Sequence, residues 1–531
     1  MSKNIRTLSA RYCQEQTLFE ALTEAATDSG TPPAELLQTL AEQTLISPAS
    51  LLGASSFYDF LKADNRGKKA YVCNGTACLL AGKQGAVRAG LAQQFSDQEI
   101  GEAACLGHCY HTGAYKIGDH CFDAQHGQEQ TPEQEIPFYS HVGQSLFAAA
   151  AVAMEAGYET ALAEATQISE QLTQSQLRGR GGAGFPFASK LSACAAALAG
   201  QKYIVCNADE GDPGAFSDRY LLEQRPHQVL AGMLAAGLVA GADTGFIYVR
   251  AEYPLAVGCM RAAIDEFEQL PVYTQTHFRF RVITGAGAYI CGEETGLLSS
   301  IEGLRPEVRT RPPYPAQAGL YDCPTLVSNV ETFAAIPWIL LHGGAAFAQL
   351  GTGKSRGSKL VSLDVRFQRP GVHEVEMGIS LQQLIEDYGR GFTLPVKALQ
   401  VGGPLGGVVP ASRFASLTLD FEAFREQGFE LGHGGVIAIP ESFAMMELLR
   451  HLFTYMAAES CGKCLPCRLG TEKGRLMLTR ASAAQPVNRN DLDDLLETLE
   501  LGSLCALGGG LPIPVRNILD HFQDELQDYF Q

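Results

Sequence analysis

Apolar positions recur with a helical period through the first sixty residues. T-L-F-E-A-L-T-E-A and T-P-P-A-E-L-L-Q-T-L-A-E-Q each place their apolar side chains on one face, and Thr31 with the following prolines marks a helix start. Residues 1–60 therefore read as a helical segment. From Ala70 the period shortens: A-Y-V-C is a strand, the run from Lys83 to Phe95 a helix, and A-Y-K-I-G-D-H-C-F-D a hairpin turning on Gly-Asp. Residues 61–125 thus form a small α/β unit. D-A-Q-H-G-Q-E-Q-T-P-E-Q-E-I-P holds few apolar residues, so 126–142 read as a linker. Residues 143–335 alternate strands and helices and are rich in glycine, the pattern of an open α/β domain. Within them V-L-A-G-M-L-A-A-G-L-V-A-G, from Val229, is too short to span a bilayer and reads as a buried helix. In 336–438 strands dominate (K-L-V-S-L-D-V, H-E-V-E-M, L-Q-V-G-G) around a short helix, S-L-Q-Q-L-I-E-D-Y, giving a small α+β module. Residues 439–531 are helical.

That last segment carries Cys461, Cys464 and Cys467 in E-S-C-G-K-C-L-P-C-R, and Cys505 in S-L-C-A-L-G-G-G. Three thiols two residues apart converge on one point, and a remote fourth closes the cage. The set suits a [4Fe–4S] cluster; structural zinc, which also takes four cysteines but usually in separated pairs, is the alternative. A second set, Cys73 and Cys78 with Cys105 and Cys109, gives two pairs in two loops. That arrangement suits a [2Fe–2S] centre, with zinc or plain buried thiols as alternatives.

Composition narrows the class. The 531 residues suffice for several domains, and the net charge of −18 argues against nucleic acid and anionic membrane surfaces as partners. Any anionic ligand must be drawn by local cations and helix N-termini. Fifteen cysteines suit a reducing compartment, and M-S-K-N-I-R-T-L-S-A-R-Y lacks the apolar core of a signal peptide. The expectation is a cytoplasmic protein that does not span the membrane.

Four segments carry candidate binding chemistry. Gly179-Arg180-Gly181-Gly182-Ala183-Gly184 matches G-x-G-x-x-G, but a polar helix precedes it where a dinucleotide-binding unit needs a strand. The glycines still let backbone N–H groups approach an anion, with Arg180 and Lys190 adding charge; a tight turn is the alternative. K-Y-I-V-C-N-A-D-E-G-D-P-G ends a buried strand on Asn207, Asp209, Glu210 and Asp212, where open α/β sheets bind ligands. G-A-G-A-Y-I-C-G-E-E-T-G, with Tyr289, Gly292, Glu293 and Glu294, suits a planar ligand, and C-P-T-L-V-S-N-V-E-T brings Asn329 and Thr332.

Together, L-R-G-R-G-G-A-G-F-P, N-A-D-E-G-D-P-G, G-A-G-A-Y-I-C-G-E-E-T, P-T-L-V-S-N-V-E-T and E-S-C-G-K-C-L-P-C-R-L-G closely resemble the NADH-binding flavoprotein subunit of respiratory complex I. Residues 1–125 resemble its partner [2Fe–2S] subunit, a helical piece plus a thioredoxin-like domain. The fused order resembles the diaphorase (beta) subunit of soluble NAD-dependent formate dehydrogenases and, more loosely, that of NAD-reducing hydrogenases. The resemblance implies a multidomain α/β chain: the N-terminal helical and thioredoxin-like domains, an FMN-binding α/β domain, a small β-grasp-like domain and a C-terminal helical bundle. It implies FMN held by Gly179, Arg180, Gly181, Lys190, Asn207, Asp209, Tyr289, Gly292, Asn329 and Thr332. Glu210, Glu293 and Glu294 match an acidic cluster beside flavin and nicotinamide, with Glu210 and Glu294 as the catalytic pair. Phe185 matches an aromatic that stacks on NADH, and Arg311 and Tyr314 stand where the family commonly has Lys and Phe. The four tail cysteines match the [4Fe–4S] ligands. P-F-A-S-K-L, Ser328 and Asp212 depart from the family pattern and bear on the details of nucleotide affinity.

The implied function is electron exchange between NAD(H), FMN and both clusters. The expected partner is a catalytic subunit bearing a molybdenum- or tungsten-pterin site, or a nickel–iron site, with further iron–sulfur subunits. A formate dehydrogenase assembly is the first expectation; a hydrogenase or complex I input module is the alternative.

Overall fold

The computed structural model describes residues 18–29, 34–44, 46–125, 135–148 and 152–531. Thr31 and the polar core of the expected linker lie outside them. The N-terminal helices run Leu18–Ser29, Ala34–Thr44 and Pro48–Ser55. Ser47 starts the third, its Oγ accepting the Ser50 N–H at 3.1 Å with Pro48 in the first turn. The small α/β unit follows as β1 (Ala70–Cys73), helices Thr76–Ala81 and Gln84–Leu91, β2 (Ile100–Ala103), β3 (Tyr115–Ile117) and β4 (His120–Phe122). The sheet order is β2-β1-β3-β4, with β1 and β2 parallel and β3–β4 the expected hairpin.

The linker reading holds only in part. Phe138–Ser140 is β5, the edge strand of a sheet built mostly from residues two hundred positions later, paired in parallel with β13 (Gly371–Glu376). The reason is Glu374, a buried carboxylate in β13. It accepts from Ser140 Oγ (2.9 Å), Ser145 Oγ, the Leu146 N–H (2.8 Å) and Ser358 Oγ (3.1 Å). A polar segment with few apolar residues is thus anchored through its hydroxyls, which hydrophobic periodicity does not register.

The central domain is a parallel sheet of β6 (Tyr203–Ala208), β7 (Thr244–Val249), β8 (Arg279–Thr284) and β9 (Thr325–Asn329), in the order β8-β7-β6-β9. The chain steps outward from β6 to β8, then returns to the far side of β6. The switch in direction therefore falls between β6 and β9, where open parallel sheets bind ligands. The stretch from Val229 lies in the helix Pro226–Ala240, buried on nearly all sides, which explains its lack of an amphipathic pattern. It packs against helix Val330–His342 so closely that a Cβ on Gly232 falls 1.9 Å from the Phe333 carbonyl oxygen.

After the short hairpin β10 (Gly351–Thr352) and β11 (Ser355–Arg356) come β12 (Ser358–Leu363), β13, β14 (Val396–Val401), β15 (Gly407–Pro410) and β16 (Gly435–Pro440). With β5 they make one mixed sheet in the order β15-β14-β16-β12-β13-β5. Both expected borders of this module shift. The one at 335/336 cuts helix Val330–His342 and the one at 438/439 cuts β16, because uniformly apolar segments give no local boundary signal. The C-terminal helices are Met445–Glu459, Leu465–Arg480, Arg489–Gly502 and Pro512–His521. Among the described residues no helix is long and apolar enough to cross a membrane.

Gly232→Ala should destabilise the protein by about 1–3 kcal/mol, toward the upper end because the obstacle is backbone. A lowered thermal unfolding midpoint is the expected result; an unchanged one contradicts this account of the helix pair.

Candidate functional site

Asn207 and Asn329 are register partners at the C-terminal ends of β6 and β9, and three loops meet there. Residues 178–186 fold back on themselves, the Gly179 N–H donating to the Phe185 carbonyl at 2.8 Å. Gly182 and Gly184 take φ of +121° and +60°, which L side chains rarely adopt. A Cβ on Gly181 lies 3.1 Å from that of Asn329, so this loop rests on the end of β9. Asn329 caps helix Val330–His342 by accepting the Thr332 N–H at 3.3 Å, and Thr332 Oγ1 accepts the Arg180 N–H at 2.9 Å. These two side chains hold the loop in place. On the third loop the Gly292 carbonyl accepts from Asn207 Nδ2 at 2.8 Å. Tyr289 donates to Asp212 at 2.6 Å.

Asp209 supplies the test of fit for a flavin. Its Oδ2 is buried without a hydrogen-bond partner among the described residues, 4.0 Å from the Cβ position of Gly292, and burial pushes its carboxyl up to about 8. An unpartnered buried carboxyl oxygen among glycines at the switch point fits a ligand that brings its own polar groups, as FMN does.

Two expectations change. Arg180 does not offer its charge to an anion at this loop. Its guanidinium turns into the mixed-sheet module, 2.9 Å from Met377 Sδ and 2.5 Å from the Arg356 carbonyl, and burial pushes it down to about 10. Nor does Glu210 sit in one cluster with Glu293 and Glu294. Glu293 caps helix Glu294–Ile301, accepting the N–H groups of Thr295 and Gly296, both at 2.9 Å. Glu294 pairs with Lys190 at 2.6 Å and Arg311 at 3.0 Å. Phe185, on the glycine loop before the helix that bears Lys190, and Tyr314, on the loop that bears Arg311, are 57% and 56% exposed and leave aromatic faces in solvent.

Glu210 instead closes a buried network. Its carboxylate accepts the Asp218 and Arg219 N–H groups at the start of helix Ser217–Gln224, at 3.0 and 3.1 Å, and lies 3.3 Å from His433 Nδ1. His433 Nε2 pairs with Asp218 at 2.9 Å, and Asn329 Nδ2 donates to the same carboxylate at 2.6 Å. The geometry gives Glu210 a capping and charge-balancing place in this structure. Burial alone pushes His433 down, but Asp218 and Glu210 outweigh it and hold the imidazole at about 9. No motif marks His433 in the sequence. Its setting, L-G-H-G-G, is the one signal that could have found it: glycine-flanked backbone comes close to the flavin loop, a Cβ on Gly182 being 3.5 Å from Gly432.

Both cysteine sets converge. Cys461, Cys464, Cys467 and Cys505 line one cavity with Ile290, Val308, Leu504 and Leu507. Ile290 belongs to the Tyr289–Gly292 turn of the flavin loop, so the two sites share a wall. A Cβ on Gly508 falls 2.9 Å from that of Cys467, so the tail glycines make room for the cage. At the other end Cys73, Cys78, Cys105 and Cys109 are all buried, with Cys105 and Cys109 sulfurs 3.9 Å apart. A Cβ on Gly75 falls 3.5 Å from Cys105 Sγ. A closed and a half-open set of four cysteines, the second sharing a wall with the loops at an α/β switch point, define a flavin- and iron–sulfur-dependent oxidoreductase component.

Comparison with known proteins agrees. Residues 172–338 match the Nuo51 FMN-binding domain, 447–529 the NADH-ubiquinone oxidoreductase-F iron–sulfur binding region, and 5–133 the thioredoxin-like [2Fe–2S] ferredoxin. The chain is 40% identical to the F 2 subunit of the NADH-quinone oxidoreductase of Rhizobium meliloti (strain 1021) over 372 residues, 68% of this chain and 87% of that one. It is 40% identical over 372 residues to the NADP-reducing hydrogenase subunit HndC of Solidesulfovibrio fructosivorans, 68% of this chain and 75% of that one. Among solved structures it is similar to a chain of an NAD+-reducing [NiFe]-hydrogenase in the H2-reduced state, with TM-score 0.85 and 28% identity, covering 96% of this chain and 93% of that one. The chain belongs to the family of the NADH-quinone oxidoreductase F subunits. It is an NADH:acceptor oxidoreductase flavoprotein subunit, with FMN, [4Fe–4S] and [2Fe–2S] binding domains in one polypeptide.

Gly181→Val presses a branched side chain against Asn329 and should strip FMN from the purified protein, read as lost flavin absorbance. Full flavin occupancy in the variant contradicts the loop's assignment. For His433 the folded value of about 9 lies above the ordinary histidine range near 6.5. Its contribution, on the order of 3 kcal/mol, is complete below pH 6.5 and lost as pH rises through 9. Stability should fall more steeply between pH 7 and 10 in the native protein than in His433→Asn; parallel pH profiles contradict the charged network.

Proposed function

We propose that this chain exchanges electrons between NAD(H) and a nickel–iron partner, as the diaphorase subunit of an NAD-reducing hydrogenase assembly. The observation that carries this reading is the likeness to the [NiFe]-hydrogenase chain over 96% of this chain, which takes in the fused N-terminal [2Fe–2S] domain and not only the flavoprotein part. The expectation of a formate-oxidising partner rested on that fused order. A hydrogenase chain shares it, so the order does not favour formate.

FMN, when bound, accepts two electrons from NADH and releases them singly. The chain's residues divide the remaining work. Gly179, Gly181, Asn207, Asp209 and Gly292 shape the flavin cradle, and Phe185 and Tyr314 offer stacking faces to the dinucleotide. Lys190 and Arg311 hold Glu294 in a fixed orientation at the entrance. NAD is the proposed dinucleotide. Arg311 is engaged by Glu293 and Glu294, and Arg309 by Glu302 at 2.7 Å and the Gly319 carbonyl at 3.1 Å, so neither is free for an added phosphate.

The outlet is the [4Fe–4S] site. Cys464 and Cys505 are partly exposed, and Leu465, Leu469, Leu501 and Leu504 beside them stand 41–78% exposed. An apolar surface around a half-open cluster site supports an iron–sulfur partner docked there.

The purified chain should reduce ferricyanide or a viologen with NADH, prefer NADH to NADPH, and oxidise neither hydrogen nor formate. Co-purified from its native host, it should bring nickel and gain hydrogen-driven NAD+ reduction. A molybdenum- or tungsten-bearing partner with formate-driven NAD+ reduction overturns the hydrogenase reading in favour of formate. Oxidation of either donor by the chain alone overturns both.

A further inference from the structure

The loop after β7 seats the N-terminal domain on the flavin domain, and one guanidinium holds both. Arg250 is 4% exposed. Its NH1 donates to the Glu210 carbonyl at 2.5 Å; its NH2 donates to the Cys105 carbonyl at 2.7 Å and to Glu252 at 2.8 Å. The guanidinium also stacks 4.9 Å from the Tyr253 ring, and that ring fills the space over Gly107, where a Cβ would fall 2.4 Å away. Another donor from the flavin domain reaches the same cysteine loop: Arg219 NH1 donates to the Gly107 carbonyl at 3.2 Å.

Reducing a [2Fe–2S] centre adds one negative charge to a site whose four ligands are all buried. A fixed cation bonded to the peptide of a ligand stabilises the reduced form, and low polarity magnifies the effect. Glu252 opposes it. That carboxylate is 4% exposed; one oxygen accepts from Arg250, and the other has no hydrogen-bond partner among the described residues. Arg250 also fixes the backbone of Glu210, next to Asp209 of the flavin cradle.

We propose that Arg250 sets the reduction potential of the [2Fe–2S] centre from the flavin side, raising it so that the centre can accept an electron, while Glu252 limits the rise. The step is a one-electron transfer: the cluster gains the electron that the NADH-reduced flavin site loses, and no bond forms or breaks. Arg250 is a positioning residue acting through the Cys105 peptide.

The test is a potentiometric titration of the cluster-loaded, full-length protein, followed by electron paramagnetic resonance, with the [4Fe–4S] signal as internal reference. Arg250→Gln should lower the equilibrium constant for reducing the [2Fe–2S] centre at least tenfold, a shift of ~59 mV for a one-electron couple. Arg250→Lys should recover most of that shift, and Glu252→Gln should move the midpoint upward. Equal shifts in the Gln and Lys variants of Arg250 would assign the effect to hydrogen-bond geometry and overturn the proposal. If Arg250→Gln fails to retain the cluster, Glu252→Gln decides: an upward shift supports the proposal, and an unchanged or lower midpoint overturns it.

Discussion

A charge taken out of water must find a partner, and in this chain those partners lie repeatedly in another module. Lys359 of the mixed sheet is buried against Glu331, which opens the last helix of the flavin domain and also accepts the Leu360 N–H at 2.9 Å. Arg180 leaves the flavin loop for the mixed sheet, Arg366 of that sheet donates to the Ala77 carbonyl beside Cys78 at 3.2 Å, and Arg250 joins Glu210 to Cys105. Breaking one partner of the buried Lys359–Glu331 pair costs about 3–5 kcal/mol because the other is stranded. That pair and the guanidinium–carbonyl contacts hold the modules in one relative placement, which electron transfer requires, since its sites must keep fixed separations.

The same constraint sorts the acids around the flavin cradle. Glu293 and Glu294 stay at the entrance because Arg311, Lys190 and a helix N-terminus neutralise them there. Glu210 and Asp218 go inside because His433 brings a positive charge to meet them. Asp209 lies between, buried with one oxygen unpaired. One short stretch, N-A-D-E-G-D, thus sends neighbouring carboxylates to different environments, and only the partners distinguish them.

That explains which features are legible from the amino acids alone. The cysteine sets, the glycine loops, the buried helix at Val229 and the β3–β4 hairpin are, because local spacing and backbone permissiveness define them. The roles of Glu210, Arg180, His433 and Arg250 are not, because a long polar side chain carries no local mark of its distant partner. The joining of β5 to the mixed sheet is hidden for the same reason: the acceptor, Glu374, lies more than two hundred residues downstream.

The two cluster sites differ in how they are enclosed. The tail site has two half-buried cysteines and an apolar rim, the features on which its proposed role as outlet rests. The N-terminal site is closed, and its loops are completed by the rest of the chain. Arg250 and Arg219 reach it from the flavin domain, and the Val365 N–H bonds the Cys109 carbonyl at 3.0 Å from the mixed-sheet module. From the tail helices, His451 meets Thr76 at 3.1 Å. A site finished by three other modules needs them present at high effective concentration, which covalent fusion supplies. Its surroundings are then set inside one folded chain, tied to the backbone of the flavin-site loop through Arg250.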